Sequence, residues 1–441
     1  MSHAIHRSLL TQPPHASRGD GSYLVDRDGK RYLDACGGAA VSCLGHSHPA
    51  VIEAIQKQVA RLPYAHTSFF TTDALEELAE TLVAGAPGMA KVMLLSGGSE
   101  AVEAALKLSR QFFLEAGEPD RHLFIARRQS YHGNTLGALA VGGSDWRREP
   151  FLPLLAEGHH VAPCFEYRGR NDDESPAAYS ERVAHELEEK IIELGPQNVA
   201  AFVAETVVGA TAGAVTATPG YFKRVRKICD RYGIHLILDE VMCGTGRTGS
   251  MMAYEQEAII PDIVTMAKGL AAGYQPVGAL LCRAQITDTI RANKGSFEHG
   301  HTFMGHATAV AAAVATQRVI RDEGLLQNVV DRGKKIQVAL RDSLREHPNV
   351  GDIRGRGFFI GVEFVAERAS KRPFDPARKI HKKIQMAAMA KGLLCYTLSG
   401  TADGRNGDHA LLAPPYNIND TEQDEIIEKL TDAINEVLPP G

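Results

Sequence analysis

Lys268 and Asp239 are the residues whose types and settings suit covalent and proton-transfer chemistry. In DIVTMAKGLAAGYQPVGALL, from Asp262 to Leu281, Lys268 is the only charge after the first residue. It follows the apolar run IVTMA, where desolvation favours a neutral amine able to attack a carbonyl carbon. Asp239 follows the run HLIL in the same way. A carboxylate there is costly without a partner, and a cationic ring nitrogen is one established partner. Taken singly, each residue also has a plain structural reading: a lysine with a buried stem and a solvated head, and an aspartate at a strand end.

Three other stretches bear on ligands. In LLSGGSEAVEAALKLSR, Gly97 and Gly98 leave the backbone open and Ser99 starts a helical pattern, so its first N–H groups suit a phosphate. Glu100 in that first turn opposes an anion, and a simply capped helix is the competing reading. Tyr131, in QSYHGNT, follows another apolar run and offers a flat ring face to a ligand, or simple packing. GTGRTG, Gly244–Gly249, matches GxGxxG, which would make the chain a nicotinamide-dependent oxidoreductase. Against that stand Asp239 and Glu240 beside the would-be pyrophosphate, and a poor crossover helix before Pro261. LILDE also looks like the magnesium strand of a P-loop ATPase, but the chain has no GxxxxGK[ST] loop.

The elements that must position these residues read as α/β. Short apolar runs, KVMLLS at 91, HLFIAR at 122, VAAFVAE at 199, HLILDEV at 235, IVTMA at 263 and GALLC at 278, alternate with helical patterns as in a mostly parallel central sheet flanked by helices. Lys268, Asp239 and Ser99 then stand at the carboxyl ends of strands, where ligands bind in such sheets. From Glu100, residues Val102, Ala105, Leu106 and Ser109 share one helical face that should pack on the sheet. After Thr302 an Ala-rich helix through Val319 is expected, then another helix, then a strand pair in GDIRGRGFFIGVEFV. Asp28 and Gly29 suit a hairpin-type turn. The expected organisation is an N-terminal segment over 1–70, a large domain over 71–325 and a smaller α+β domain over 326–441.

Composition narrows the partners. With 441 residues, 44% hydrophobic and 23% charged, and a net charge of −5 without a basic stripe, the chain reads as a globular protein acting on small molecules, not on nucleic acid or a membrane. Seven cysteines without CxxC or Cys/His clusters suggest neither disulfides nor a metal site, and a cytoplasmic setting is expected. MSHAIHRSLLTQPP lacks the apolar region of a signal peptide.

Taken in order, LGHSHPAV at 44, SGGSEAVEAALKLSR at 96, SYHGNT at 130, LILDEVMCGTGRTG at 236, PDIVTMAKGL at 261, HGHTFMGHATAVAAA at 299 and GDIRGRGFFIGVEF at 351 resemble the class III aminotransferases, over nearly the whole chain. These are pyridoxal-phosphate enzymes of the type I fold. The resemblance implies that Lys268 links covalently to pyridoxal phosphate and that Asp239 partners the pyridinium nitrogen. It implies that Gly97, Gly98 and Ser99 hold the phosphate, that Tyr131 and Val241 cover the two ring faces, and that His132 and Glu205 complete the cofactor contacts. Thr302 would reach the phosphate of a neighbouring subunit, making a homodimer with shared sites, or a tetramer of two dimers.

The implied reaction moves an amino group from an ω-amino acid or amine to an oxo acid by a ping-pong route. An aminomutase or a decarboxylating transaminase of the same fold would share the cofactor residues. Tyr64 and Phe69 are expected at the substrate entrance. Family members that use glutamate often carry an acidic residue five positions after the one matching Glu205; here that position is Ala210, so pyruvate is favoured over 2-oxoglutarate. The arginine that many ω-aminotransferases place seven residues before PP falls on Gly407, leaving Arg405 as a candidate carboxylate ligand, with a solvated loop arginine as its alternative.

Overall fold

The computed structural model describes residues 3–440. At its centre is a seven-stranded sheet in the order Lys91–Leu95, Gly278–Cys282, Ile263–Met266, His235–Asp239, Val199–Glu205, Leu123–Arg127 and His159–Val161. Six of these strands run parallel; Gly278–Cys282 is antiparallel to both its neighbours. The apolar runs are continuous because the sheet is covered on both faces. Side chains alternate between two cores. Ala201, Val203, Ile237 and Leu280 pack under the Gly98–Glu115 helix, while Phe202, Ala204, Leu236, Leu238 and Leu281 face the helices Pro176–Leu194, Tyr221–Tyr232 and Ala307–Asp322.

Val102, Ala105, Leu106 and Ser109 are all buried on the Gly98–Glu115 helix, as their spacing predicts. The Ala-rich helix starts later than its composition suggests, at Ala307, and runs to Asp322. Residues 302–305 form turns instead. Gly305 has φ 66°, and a Cβ there would lie 2.5 Å from Leu75 Cδ1, so the backbone is forced out of helical geometry against a packed neighbour.

A second sheet, antiparallel throughout, is ordered Val350–Arg356, Phe359–Phe364, Asp408–Leu412 and Tyr396–Ser399. The N-terminal strands Ala16–Asp20, Tyr23–Asp26 and Arg31–Asp34 form a third, turning at Gly29 (φ 83°), and Leu33 and Asp34 pair in parallel with Leu393 and Leu394. The N-terminal strands are thereby joined to a strand of the C-terminal part of the chain. No helix among the described residues is long and apolar enough to cross a membrane.

Close backbone approach links the large sheet to the loop after its first strand. A Cβ at Gly278 would lie 2.4 Å from the Gly97 carbonyl oxygen. Gly278→Ala is therefore expected to lower stability by about 1–3 kcal/mol, the usual range for overpacking. The readout is the midpoint of urea unfolding, and an unchanged midpoint would contradict this account.

Candidate active site

The carboxyl ends of the parallel strands converge on a cavity of about 570 Å³ whose lining includes Gly98, Ser99, Tyr131, His132, Glu205, Asp239, Val241 and Lys268. Strand register sets the central part. Asp239 lies opposite Glu205 on one neighbouring strand and Thr265 on the other, so the two carboxylates and the following Lys268 end at one level.

Asp239 is buried, and its hydrogen bonds orient both carboxylate oxygens. His132 Nδ1 donates to Asp239 Oδ2 at 2.8 Å, while Val241 N and Thr265 Oγ1 donate to Oδ1 at 3.0 and 3.3 Å. His132 Nε2 is buried and has no hydrogen-bond partner among the described residues. Glu205 is pinned likewise, accepting from Tyr131 N at 3.1 Å and Gly209 N at 2.8 Å, and burial raises its carboxyl above the usual range.

Lys268 follows Ile263–Met266 in a left-handed backbone conformation, φ 51°, which is uncommon for a residue with a side chain and fixes the direction in which that chain leaves the strand. Burial pushes its amine down from 10.5 to about 8, against the opposing pull of Asp239, Glu205 and Cys243. A neutral nucleophile is thus available near neutral pH.

The Gly98–Glu115 helix points its N-terminus at the same cavity, and its first N–H groups have no intrahelical acceptor. Glu100 does not spoil this end. Its Oε2 accepts from Ser96 N at 2.9 Å, so the charge is tied back to the end of the preceding strand. Gly98 allows Val241 to close in, since a Cβ there would lie 2.8 Å from Val241 Cγ1. Ser99 Oγ accepts from Asn134 N at 3.0 Å, joining the helix start to the Tyr131 turn. Gly97 precedes the helix as its N-cap and does not itself line the cavity.

GTGRTG forms a run of turns followed by the short 3₁₀ segment Ala253–Glu257, with no α-helix to present N–H groups. Arg247 within it is buried, donating to the Pro414 carbonyl at 2.6 Å, and Glu240 accepts from Ala253 N and Tyr254 N. The dinucleotide reading therefore lacks its anion site. Among the described residues no group of three or more His, Cys, Asp or Glu is placed to hold a metal ion.

The cavity set, a reactive amine, a buried carboxylate and a helix N-terminus, fits pyridoxal phosphate, with its aldehyde, its ring nitrogen and its phosphate. The family described as aminotransferase class-III matches residues 7–434. This chain belongs to the class III aminotransferases. An aminotransferase of Gibberella zeae is 44% identical over 436 residues, spanning 98% of this chain and 85% of its own. The omega transaminase from Pseudomonas jessenii in complex with PMP superposes with a TM-score of 0.92 at 32% identity, covering 100% of this chain and 98% of its own. An amine transaminase from an uncultivated Pseudomonas species, in its PLP-bound form, gives 0.92 at 34% identity over 99% and 98%. Class III aminotransferases use pyridoxal phosphate, and the type I fold stands with them.

Besides Gly97, four candidate residues lie outside the cavity of this aminotransferase chain. Tyr64 donates to the Thr302 carbonyl at 2.7 Å, Thr302 is exposed, and Phe69 is 78% exposed. Arg405 is 71% exposed and sits 3.9 Å from Glu149. The cavity instead contains Arg147, Arg7 and Tyr396, which sequence reading passed over. The available signal was DWRR, where the only tryptophan adjoins two arginines shortly after SYHGNT. A larger cleft of about 850 Å³ runs along Leu106, Leu114, Phe124 and Phe297, and none of the candidate residues lines it.

With Lys268 near 8, its neutral fraction rises through that pH, whereas an ordinary lysine would stay almost wholly protonated. Stopped-flow capture of pyridoxal phosphate by the cofactor-free protein is expected to accelerate from pH 6.5 to a plateau above about 9. A rate still climbing steeply above pH 9.5 would show an unshifted amine.

Proposed function

We propose that this aminotransferase moves an amino group from an ω-amino acid or an amine to an oxo acid, pyruvate before 2-oxoglutarate, in a ping-pong sequence. The observation that carries the reading is the meeting of a desolvated lysine and a buried, hydrogen-bonded aspartate in one cavity beside a helix N-terminus. Pyridoxal phosphate, when bound, supplies an aldehyde that takes up the amino group and a protonated ring that draws electrons from the substrate carbon.

Lys268 would hold that aldehyde between turnovers. Once displaced by the amino donor, its Nζ would remove the proton from the substrate carbon and return it on the cofactor side, as general base and then acid. Asp239 would keep the ring nitrogen protonated, and His132, Val241 N and Thr265 would hold its oxygens in place. The backbone of Gly98 and Ser99, with Gly97 leading in, would bind the phosphate; Tyr131 and Val241 would flank the ring. Glu205, anchored at both oxygens, would fix the Tyr131 backbone.

Ala210 supports the pyruvate preference: it lines the cavity and offers no charge to hold an arginine aside. Two copies of the chain would complete the site. Thr302 and Tyr64 lie outside the cavity of a single chain, among the exposed rings of Phe69, Phe70 and Phe303, which fits a contact with a second copy.

Lys268→Ala is expected to fold, with unchanged far-UV dichroism, and to give no alanine from pyruvate with any donor. Asp239→Asn should lower kcat on the order of 100-fold, as loss of a preorganised charge does. Steady-state assays over a donor panel test both, and near-normal turnover in either variant would sink the assignment. Double-reciprocal plots should be parallel; intersecting lines would reject the ping-pong order.

A further inference from the structure

Arg147 lines the active-site cavity with its guanidinium stacked on two rings, 4.7 Å from the centre of Tyr131 and 4.3 Å from that of Trp146. Stacking occupies the faces of a guanidinium and leaves its N–H edge for a planar anion. No carboxylate among the described residues takes that edge. Asp145 faces Arg148 at 3.7 Å, Glu149 faces Arg405 at 3.9 Å, and Arg147 Nε is buried without a hydrogen-bond partner. The acids within the cavity are committed too, Asp239 to His132, Val241 and Thr265, and Glu205 to Tyr131 and Gly209.

We propose that Arg147 is the anchor for the carboxylate of the oxo acid acceptor, an inference that rests on the aminotransferase reading above. The site needs a cation there: a 2-oxo acid carries its carboxylate next to the reacting carbon, and Asp239 and Glu205 would otherwise repel it. The charges of Arg147 and Arg7 both oppose the rise in the Tyr131 pKa that burial causes, and both side chains line the cavity. Of the two, Arg7 is exposed, and a solvated charge binds an anion weakly. Arg405, outside the cavity and beside Glu149, is not so placed. A purely structural role, in which Arg147 only braces Tyr131, would burden both half-reactions alike.

The test uses the holoenzyme of wild type, Arg147→Gln, Arg147→Lys and Arg7→Gln, and reads each half-reaction separately from the visible band of the bound cofactor. The donor is n-butylamine, or another carboxylate-free amine that the wild type turns over, and the acceptor is pyruvate. In Arg147→Gln, KM for pyruvate is expected to rise by roughly 10- to 100-fold, the worth of a charge-assisted hydrogen-bonded pair, with the pyruvate half-reaction losing at least about tenfold more than the amine half-reaction. Arg147→Lys should recover part of the loss, and Arg7→Gln should raise KM less than Arg147→Gln.

Trp146 is the only tryptophan in the chain and gives a second readout. Propanoate, which cannot react, should change its emission saturably in the wild type and not in Arg147→Gln, and 1-propanol should change neither. Equal losses in both half-reactions, an unchanged KM for pyruvate, or no response of Trp146 to propanoate would overturn the role of Arg147 and leave the aminotransferase reading intact. Failure of the wild type to complete a half-reaction with any amine would overturn that reading, and this inference with it.

Discussion

Burial of the Lys268 amine within reach of the fields of Asp239 and Glu205 is the interaction on which the rest of the site depends. Removing a lysine and two carboxylates from water costs several kcal/mol per ion unless each is paired or hydrogen-bonded. The protein meets that demand for the carboxylates with fixed donors, three on Asp239 and two on Glu205. Among the described residues it gives the amine no such hydrogen-bond partner, so the penalty falls on its charged form and the neutral amine gains. An unpaired amine beside well-satisfied acids is a configuration that stability alone would not select.

The donors exist because the strands are in register. With Asp239 opposite Glu205 and Thr265, one sheet edge gathers residues 60 positions apart (265 minus 205). The helix that starts at Gly98 then adds positive backbone potential without adding a cation that would compete with Lys268. The acidic residue of its first turn is held toward the preceding strand, where Glu100 accepts from Ser96 N. Close approach of Gly278 to Gly97 and of Gly98 to Val241 brings these pieces together, and each contact tolerates no Cβ without displacement.

The smaller antiparallel sheet contributes to the cavity through contacts that cross to the large one. Gln129 Nε2 donates to the carbonyls of Gly400 and Thr401 at 3.3 and 2.9 Å, just ahead of Tyr131 in the chain. Arg354 donates to the Gly213 carbonyl at 2.8 Å and pairs with Glu363 at 2.6 Å. The Gln129 bonds tie the chain just before Tyr131 to the segment after Tyr396–Ser399, and Tyr396 itself lines the cavity.

The placement of the candidate groups was legible in the chain because they sit where period and composition speak clearly. Apolar runs end at Lys268 and Asp239, SGGS opens a helix, and the family pieces recur in order, so the sheet and the meeting of Lys268, Asp239 and the Gly98–Glu115 helix start at one end of it followed from local pattern. Local pattern misled where packing decides. Alanines at 307 onward cannot say that Gly305 is pressed against Leu75, nor can GxGxxG say that its glycines serve turns around a buried Arg247. The antiparallel direction of Gly278–Cys282 and the entry of Arg147, 16 residues after Tyr131 (147 minus 131), were likewise set by long-range contacts. Nothing in a linear spacing distinguishes a solvated guanidinium from one laid across two rings at the mouth of a cavity. The sequence by itself determined the reactive groups and the sheet that carries them; the tertiary structure alone decided which charges are left unpaired among them, because pairing depends on which neighbours arrive from elsewhere in the chain.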